Sequence, residues 1–164
     1  MALEAGTGVA VAVADCVPIL LVAEGSRAGG SARAAAAIHS GWRGTRLSIA
    51  ARGVRALQRS AGAEPAQMLA AIGPAIGRCC YEVSPELAAL FRGLFGPGAA
   101  DDPAAHAAPH LDLRYCVERS LVAAGVPDAR IEQVAGCTAC DAQSFFSHRR
   151  DRGRTGRHLA FVVA

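Results

Sequence analysis

The chain has 164 residues, of which 52% are hydrophobic and 5% aromatic, and its formal net charge is +3. This length suits one domain with a sizeable core, so we predict a single domain over residues 1–164. The net charge is small and the basic residues form no stripe, so we predict that the protein does not bind nucleic acid. The sequence contains no apolar run of membrane length and no secretory leader, which predicts a cytoplasmic protein that does not bind membranes.

Apolar runs separated by turn-forming residues predict six strands. The first run has no polar alternation, which is typical of a strand buried on both faces. Segments 24–33 and 73–77 are predicted to be turns, and segment 96–109 is predicted to be a mobile loop. The predicted strands cover residues 9–14, 18–23, 34–38, 67–72, 130–134 and 158–163.

Three helices are predicted between these strands from capping residues and helical spacing. Thr45 is the predicted N-cap of the first helix, which Gly62 ends. Ser84 and the following proline begin the second, and Asp112 caps the third. Alternation of strands and helices with some short links predicts an α/β to α+β fold, a mixed-sheet sandwich with helices on its outer faces.

Asp15 and Cys16 interrupt an apolar run, and His39 ends a later one. Side chains at the ends of neighbouring strands can converge at one edge of a sheet. A thiolate and a neutral imidazole are good zinc ligands. The residues therefore suggest a metal site, although a buried cysteine and a histidine bonded to backbone explain the same pattern.

Arginines near the glycine-rich segment 39–44 and near the C-terminus are candidates for binding an anion. Arg43 lies in a loop that opens a helix, where backbone N–H groups also favour phosphate. Arg149 and Arg150 form a pair that can clamp a phosphate or carboxylate. Solvated turns are the alternative interpretation for both segments.

The six cysteines give no strong prediction of a further site. Cys137 and Cys140 form a CxxC pair, but a structural zinc site usually needs two such pairs. Cys79 and Cys80 are adjacent and cannot easily form a disulfide with each other. Reduced thiols are expected in an intracellular protein.

Five segments, in this order, resemble the laccase-domain, YfiH-like family. They are ADCVP at 14–18, HSGWRG at 39–44, GPAIGRCCYEV at 73–83, FSHRRD at 146–151 and TGR at 155–157. The resemblance implies a mixed α/β sandwich with a metal site of two histidines and one cysteine, in which Cys16 and His39 match two ligands. Members of this family are described as zinc enzymes that phosphorolyse purine nucleosides and methylthioadenosine and deaminate adenosine, so the resemblance implies these activities here. Copper is the alternative metal, since the family is also called multicopper polyphenol oxidoreductases.

One family feature is absent from the sequence. The third ligand of the family is a histidine in a QVHG-type segment upstream of the ADC cysteine, and this chain has none. We therefore expect an N-terminally shortened family domain whose metal has two protein ligands and waters. A sheet edge left open at residues 9–14 would then favour a homodimer.

The leading hypothesis is a zinc-dependent purine nucleoside phosphorylase, with adenosine deaminase and methylthioadenosine phosphorylase as further activities. Its catalytic residues are Asp15, Cys16 and His39, and Arg43 with Arg149 or Arg150 holds phosphate. The alternatives are a metal-free cysteine hydrolase with Cys16 as nucleophile and His39 as base, a copper phenol oxidase, and an inactive shortened homologue.

Overall fold

The computed structural model describes residues 1–2, 6–27 and 30–164, and it opens with three strands before the first helix. The strands are β1 (Gly8–Val13), β2 (Val17–Arg27), β3 (Gly30–Ser40), β4 (Leu69–Ile72), β5 (Ile131–Gln133) and β6 (His158–Val163). The α-helices are α1 (Trp42–Arg46), α2 (Ile49–Ala61), α3 (Pro85–Phe95) and α4 (Leu113–Ala123). Within these described ranges, every helix is too short or too polar to cross a lipid bilayer.

The central sheet is mixed. Its four strands run in the order β3-β2-β4-β5, with β2 antiparallel to both neighbours and β4 parallel to β5. A second, antiparallel pair of β1 and β6 lies against β2 and β3. The α2 helix packs on β2 and β3 and also contacts α4. The predicted mixed-sheet sandwich with outer helices is confirmed.

The core lies between the central sheet and α2. Ile19 and Leu21 of β2 are fully buried, as are Val54 and Leu57 of α2. These helical residues are three apart, so they lie on one face and meet the alternate inward residues of the strand. Burying a side chain of this size contributes roughly 1.5–3 kcal/mol. This packing holds the ends of β2 and β3 in fixed positions.

Two of the three predicted N-caps are present and one is wrong. Ser84 accepts a hydrogen bond from Leu87 N at 3.3 Å, and Asp112 accepts one from Tyr115 N at 3.0 Å. Gly62 ends α2 with a positive φ of 63°. Thr45, in contrast, lies inside α1, and its hydroxyl donates to Gly41 O at 3.0 Å. This hydroxyl bonds back to the residue that precedes α1 and accepts no hydrogen bond from a backbone N–H at the start of a helix. Thr45 is therefore not an N-cap.

The first strand differs from its prediction. Side chains of β1 alternate between exposed and less exposed positions, so the strand is not buried on both faces. One of its edges is paired, because β6 runs antiparallel along its whole length. The other edge has no strand partner among the described residues, and the predicted homodimer stays a prediction. Apolar side chains of β6 are exposed, namely Leu159, Phe161 and Val163.

Three connecting segments also differ from their predictions. The turn predicted at 24–33 is shorter in the structure, because β2 continues to Arg27 and β3 begins at Gly30. Residues 28–29 lie outside the described residues. Segment 73–77 is extended, with a bridge between Ala75 and Cys137. The predicted mobile loop at 96–109 begins with a 3-10 helix, Pro97–Ala99. Arg92 fixes that start by donating to the carbonyls of Pro97 and Ala100 at 3.0 and 2.9 Å.

Substituting two glycines with alanine tests this packing, because the two changes in the free energy of unfolding are expected to have opposite signs. A Cβ at Gly25 would overlap the backbone carbonyl of Ala61, whereas a Cβ at Gly93 in α3 would meet nothing within 4 Å. We expect Gly25→Ala to lower the free energy of unfolding by about 1–3 kcal/mol. Gly93→Ala should raise it by roughly 0.5–1 kcal/mol, because alanine loses less entropy in a helix. Urea denaturation measures both, and equal shifts in the two variants would contradict the packing.

Candidate active site

A cavity of about 420 Å³ opens where β2 begins and β3 ends. Cys16 immediately precedes β2, and His39 lies opposite Pro18 in the antiparallel register of β2 and β3. Both side chains line this cavity, with the histidine exposed and the cysteine partly buried. The structure thus brings together the two residues that the sequence analysis paired.

Gly41 makes room for the thiol. A Cβ at this position would lie 2.9 Å from Cys16 Sγ, closer than real Cβ contacts. The chain therefore passes directly beside the sulfur before α1 begins at Trp42. Trp42 and Arg43 both line the cavity, and the guanidinium carbon of Arg43 lies 4.6 Å from the centre of the indole ring.

The thiol of Cys16 is disfavoured as a free anion. Burial raises its pKa, and the neighbouring Asp15 carboxylate raises it further, while Arg157 has a smaller opposing effect. A bound cation would have the reverse effect, because a thiolate coordinated to a metal loses its proton. The protein thus holds a protonated thiol until a cation or another positive group arrives.

The buried side-chain carboxylate of Asp15 accepts three hydrogen bonds. Its side-chain oxygens accept hydrogen bonds from Thr138 Oγ1 at 2.6 Å, Ser147 Oγ at 3.1 Å and Arg149 N at 2.6 Å. Its backbone φ is 76°, an unusual conformation for a residue with a side chain. These contacts join the start of β2 to two distant segments, so the geometry gives Asp15 a positioning role next to the cavity.

The two arginines of the predicted pair have different surroundings. Arg149 lines the cavity, donates from Nη1 to Glu82 O at 3.0 Å and lies 5.1 Å from the ring centre of Tyr81. Arg150 bonds to Asp151 and to the carbonyls of Thr138 and Phe145, all outside the cavity lining. The structure therefore brings Arg43 and Arg149 to the cavity and leaves Arg150 in a loop-stabilising position.

Three further cavity residues were not singled out from the sequence. Tyr81, His148 and Arg157 line the cavity together with the residues named above. Each lies in a segment that carries the family resemblance, and this was the available signal. Their separation along the chain gave no reason to place them beside Cys16. Three guanidinium groups, those of Arg43, Arg149 and Arg157, thus give the cavity a positive lining.

Cys16 and His39 suit a metal by chemistry, and the surroundings limit further protein ligands. Asp15 already uses both carboxylate oxygens in hydrogen bonds. Among residues 1–2, 6–27 and 30–164, three or more potential ligand side chains lie close enough to share an ion in one group. This group consists of four cysteines and lies outside this cavity. An ion in the cavity would therefore have at most two such ligands from this part of the chain.

Comparison with known proteins relates the whole chain to one family. Residues 1–164 match a family model described as multi-copper polyphenol oxidoreductase laccase. The chain is 42% identical to purine nucleoside phosphorylase YlmD of Geobacillus stearothermophilus, over 97% of this chain and 57% of that protein. It is 40% identical to adenosine deaminase RL5 of an unknown prokaryotic organism, over 93% of this chain and 56% of that protein.

Solved structures show the same relationship. The crystal structure of YlmD from Geobacillus stearothermophilus has a TM-score of 0.82 and 40% identity, covering 98% of this chain and 58% of that one. That of the Bacillus licheniformis hypothetical protein YfiH has a TM-score of 0.80 and 37% identity, covering 95% and 57%. The chain thus spans less than three-fifths of the length of these relatives.

Proposed function

Since this chain belongs to the multi-copper polyphenol oxidoreductase laccase family, we propose that it is a zinc-dependent purine nucleoside phosphorylase. The proposal extends to methylthioadenosine as a second nucleoside substrate. Its support is the purine nucleoside phosphorylase named among the relatives and the cavity at the ends of β2 and β3. The observation that carries it is the meeting of a thiol, two imidazoles and three guanidinium groups in that cavity.

The arginines suit the phosphate of such a reaction. In phosphorolysis, an oxygen of hydrogen phosphate bonds to C1′ of the ribose while the bond from C1′ to N9 of the purine breaks. The phosphate loses its proton and the departing base gains one, so ribose 1-phosphate and free base form. Arg43, Arg149 and Arg157 offer charge-assisted hydrogen bonds to a phosphate dianion. The Trp42 and Tyr81 rings offer apolar contact for the base.

Cys16 and His39 are the residues that would hold the metal. A zinc ion bound there would supply a Lewis acid next to the substrate. Thiolate and imidazole are ligands of both zinc and copper, so these two residues suit either metal. The five histidines of the chain include no His-x-His run of the kind expected in a multicopper centre. Asp15 keeps the 138–149 region against this site through its three hydrogen bonds.

The direct test is incubation of the purified, zinc-supplemented protein with inosine and inorganic phosphate. Chromatography should show hypoxanthine and ribose 1-phosphate in equal amounts, with both absent when phosphate is omitted. Free ribose without phosphate dependence would indicate a hydrolase. Absence of hypoxanthine under all conditions would overturn the proposal for this chain.

A variant pair adds a test of the anion site. Arg43 lines the cavity, whereas Arg59 is exposed in the last turn of α2. A hydrogen bond to a charged group contributes about 1.5–3 kcal/mol, so Arg43→Met should raise the KM for phosphate roughly 10- to 100-fold. Arg59→Met should leave it unchanged. Equal KM values in the two variants would exclude Arg43 from phosphate binding.

Adenosine deamination is a second candidate activity, favoured by the similarity to adenosine deaminase RL5. It replaces the amino group at C6 with oxygen from water and releases ammonia, so it needs no phosphate. Conversion of adenosine to inosine in phosphate-free buffer would establish it. Adenine formation that depends on phosphate would assign adenosine to the phosphorylase reaction instead.

A further inference from the structure

Two cysteine pairs that are far apart in sequence meet at one edge of the central sheet. Cys79 and Cys80 lie in a turn that follows β4 by a short extended segment. Cys137 and Cys140 lie in a loop that follows β5. Because β4 and β5 are parallel, their C-terminal ends reach the same edge, and an isolated parallel bridge from Ala75 to Cys137 continues that pairing.

The four sulfur atoms form a compact group. Cys140 Sγ lies 3.2 Å from Cys80 Sγ and 3.5 Å from Cys79 Sγ. All four Sγ atoms lie within 4.8 Å of one another. A zinc ion with Zn–S bonds of about 2.3 Å holds tetrahedral sulfurs roughly 3.8 Å apart. The two separations from Cys140 are slightly shorter than that value and no separation exceeds 4.8 Å, so small side-chain adjustments would complete the tetrahedron.

A backbone donor reaches one of the four sulfurs. Gly77 N donates a hydrogen bond to Cys137 Sγ at 3.1 Å. A Cβ at Gly77 would lie 3.2 Å from both Cys137 Cβ and Cys79 Sγ, so a side chain there would press on the sulfurs. The glycine therefore allows the two loops to approach and supplies a donor to one sulfur.

Disulfide formation accounts for the arrangement less well. All four cysteines are free thiols, and a disulfide would join only two of the sulfurs. Cys79 and Cys80 are adjacent, and the sulfurs of both contact Cys140 in the loop after β5. A single metal ion could bind all of these sulfurs at once. Clusters with several iron atoms need their cysteine sulfurs further apart than a single ion does, so the compact group favours a mononuclear site.

We propose that Cys79, Cys80, Cys137 and Cys140 bind one zinc ion as a structural site that is separate from the candidate active site. Binding replaces up to four thiol protons with one divalent cation, and those protons pass to solvent. No electron transfer is involved. Four protein ligands leave no open coordination position, which is typical of structural rather than catalytic zinc.

The position of the site gives it a role in shaping the cavity. Tyr81 follows Cys80 directly and lines the cavity. Thr138 follows Cys137 and donates to the buried Asp15 carboxylate at 2.6 Å. The ion would thus join the two loops that carry these residues. This proposal stands on the cysteine geometry alone and does not depend on the phosphorylase assignment.

Metal analysis of single variants tests the site. The protein is purified from zinc-supplemented cells, passed over a gel-filtration column with a weak chelator, and its zinc measured by mass spectrometry. Cys140→Ser should lose one zinc per chain relative to wild type. The matched Cys116→Ala, at a buried cysteine of α4 outside the group, should lose none. Cys16→Ala should keep the zinc of the four-cysteine group.

A second readout does not require a variant to fold. After zinc removal, cobalt(II) is titrated into the wild-type protein, and a tetrathiolate site gives intense thiolate-to-cobalt charge-transfer and tetrahedral d–d bands at one equivalent. Unchanged zinc in a folded Cys140→Ser, cobalt bands of an octahedral oxygen site, or an iron–sulfur chromophore in the isolated protein would overturn the proposal.

Discussion

Replacement of Cys16 with alanine is expected to lower kcat/KM for inosine phosphorolysis by at least about 100-fold, since even indirect changes around a metal cost 10- to 100-fold. Cys16 is one of the two side chains proposed to hold the ion, and His39 alone would bind it weakly. The thiol is only partly buried beside an open cavity. We therefore expect its removal to leave thermal unfolding nearly unchanged. Steady-state kinetics and calorimetry on the same preparation measure both effects.

Cys116 provides the control for this substitution. Its side chain is fully buried in α4, and burial with a contribution from Asp112 raises the pKa of the thiol to about 12, so it is chemically inert. Cys116→Ala should keep its activity and lose stability, because it leaves a small cavity in the core. A Cys16→Ala variant as active as Cys116→Ala would exclude Cys16 from the reaction.

Replacement of Asp15 with asparagine is expected to lower the free energy of unfolding by about 3 kcal/mol, because hydrogen bonds to a charged acceptor contribute roughly 1.5–3 kcal/mol each. Asparagine keeps one acceptor oxygen and turns an NH₂ group towards at least one of the three donors. A backbone N–H in that position loses its acceptor, and a hydroxyl there has to give up its own donated bond to accept from the amide. The loss should appear as a lower midpoint of urea unfolding.

Asp128→Asn is the matched control, because Asp128 is exposed at the start of a short 3-10 helix and caps nothing with its side chain. Its free energy of unfolding should change by less than about 0.5 kcal/mol, as for most surface substitutions. Equal midpoints for the two variants would show that the Asp15 contacts do not hold the 138–149 region in place.

Local signals in the sequence predicted the regular elements well. Ser84 and Asp112 cap their helices as expected, because a capping side chain bonds a backbone group only a few residues away. Residues 158–163 form β6 as predicted. Thr45 was misplaced because the same hydroxyl can bond backwards to Gly41 O from inside a helix. Which of these bonds forms depends on where the preceding strand ends.

The pairing of elements was harder to predict than their type. The prediction that β1 is buried on both faces failed because β1 pairs with the distant β6, and one face of this pair packs on β2 and β3 while the other is exposed. Period-2 patterns reveal a strand but not its partner. The alternation of alanine and valine in β1 also hides which face is exposed, since both residues are apolar.

The candidate site was predicted in part through the family resemblance. Cys16, His39, Arg43 and Arg149 meet in one cavity, whereas Arg150 is held by Asp151 next to it in the chain. Adjacent residues in a turn point in different directions, and sequence gives no means to choose between the two arginines. The metal roles of Cys16 and His39 stay predictions.

The four-cysteine group shows the same limit more clearly. The Cys137–Cys140 pair was set aside because no second CxxC pair accompanies it. Its partners are the adjacent Cys79 and Cys80, some 60 residues earlier. Only the parallel pairing of β4 and β5 brings the two loops together. A search for ligand spacing along the chain cannot detect a site that the sheet assembles.

The central claim is that Cys16 and His39 share a catalytic ion in the cavity. Anomalous diffraction at the zinc absorption edge, from crystals of the purified protein grown with zinc, tests it most directly. We expect one anomalous peak within bonding distance of both Cys16 Sγ and a ring nitrogen of His39, and a second among the four cysteine sulfurs. A zinc-replete crystal with no peak beside Cys16 would contradict it.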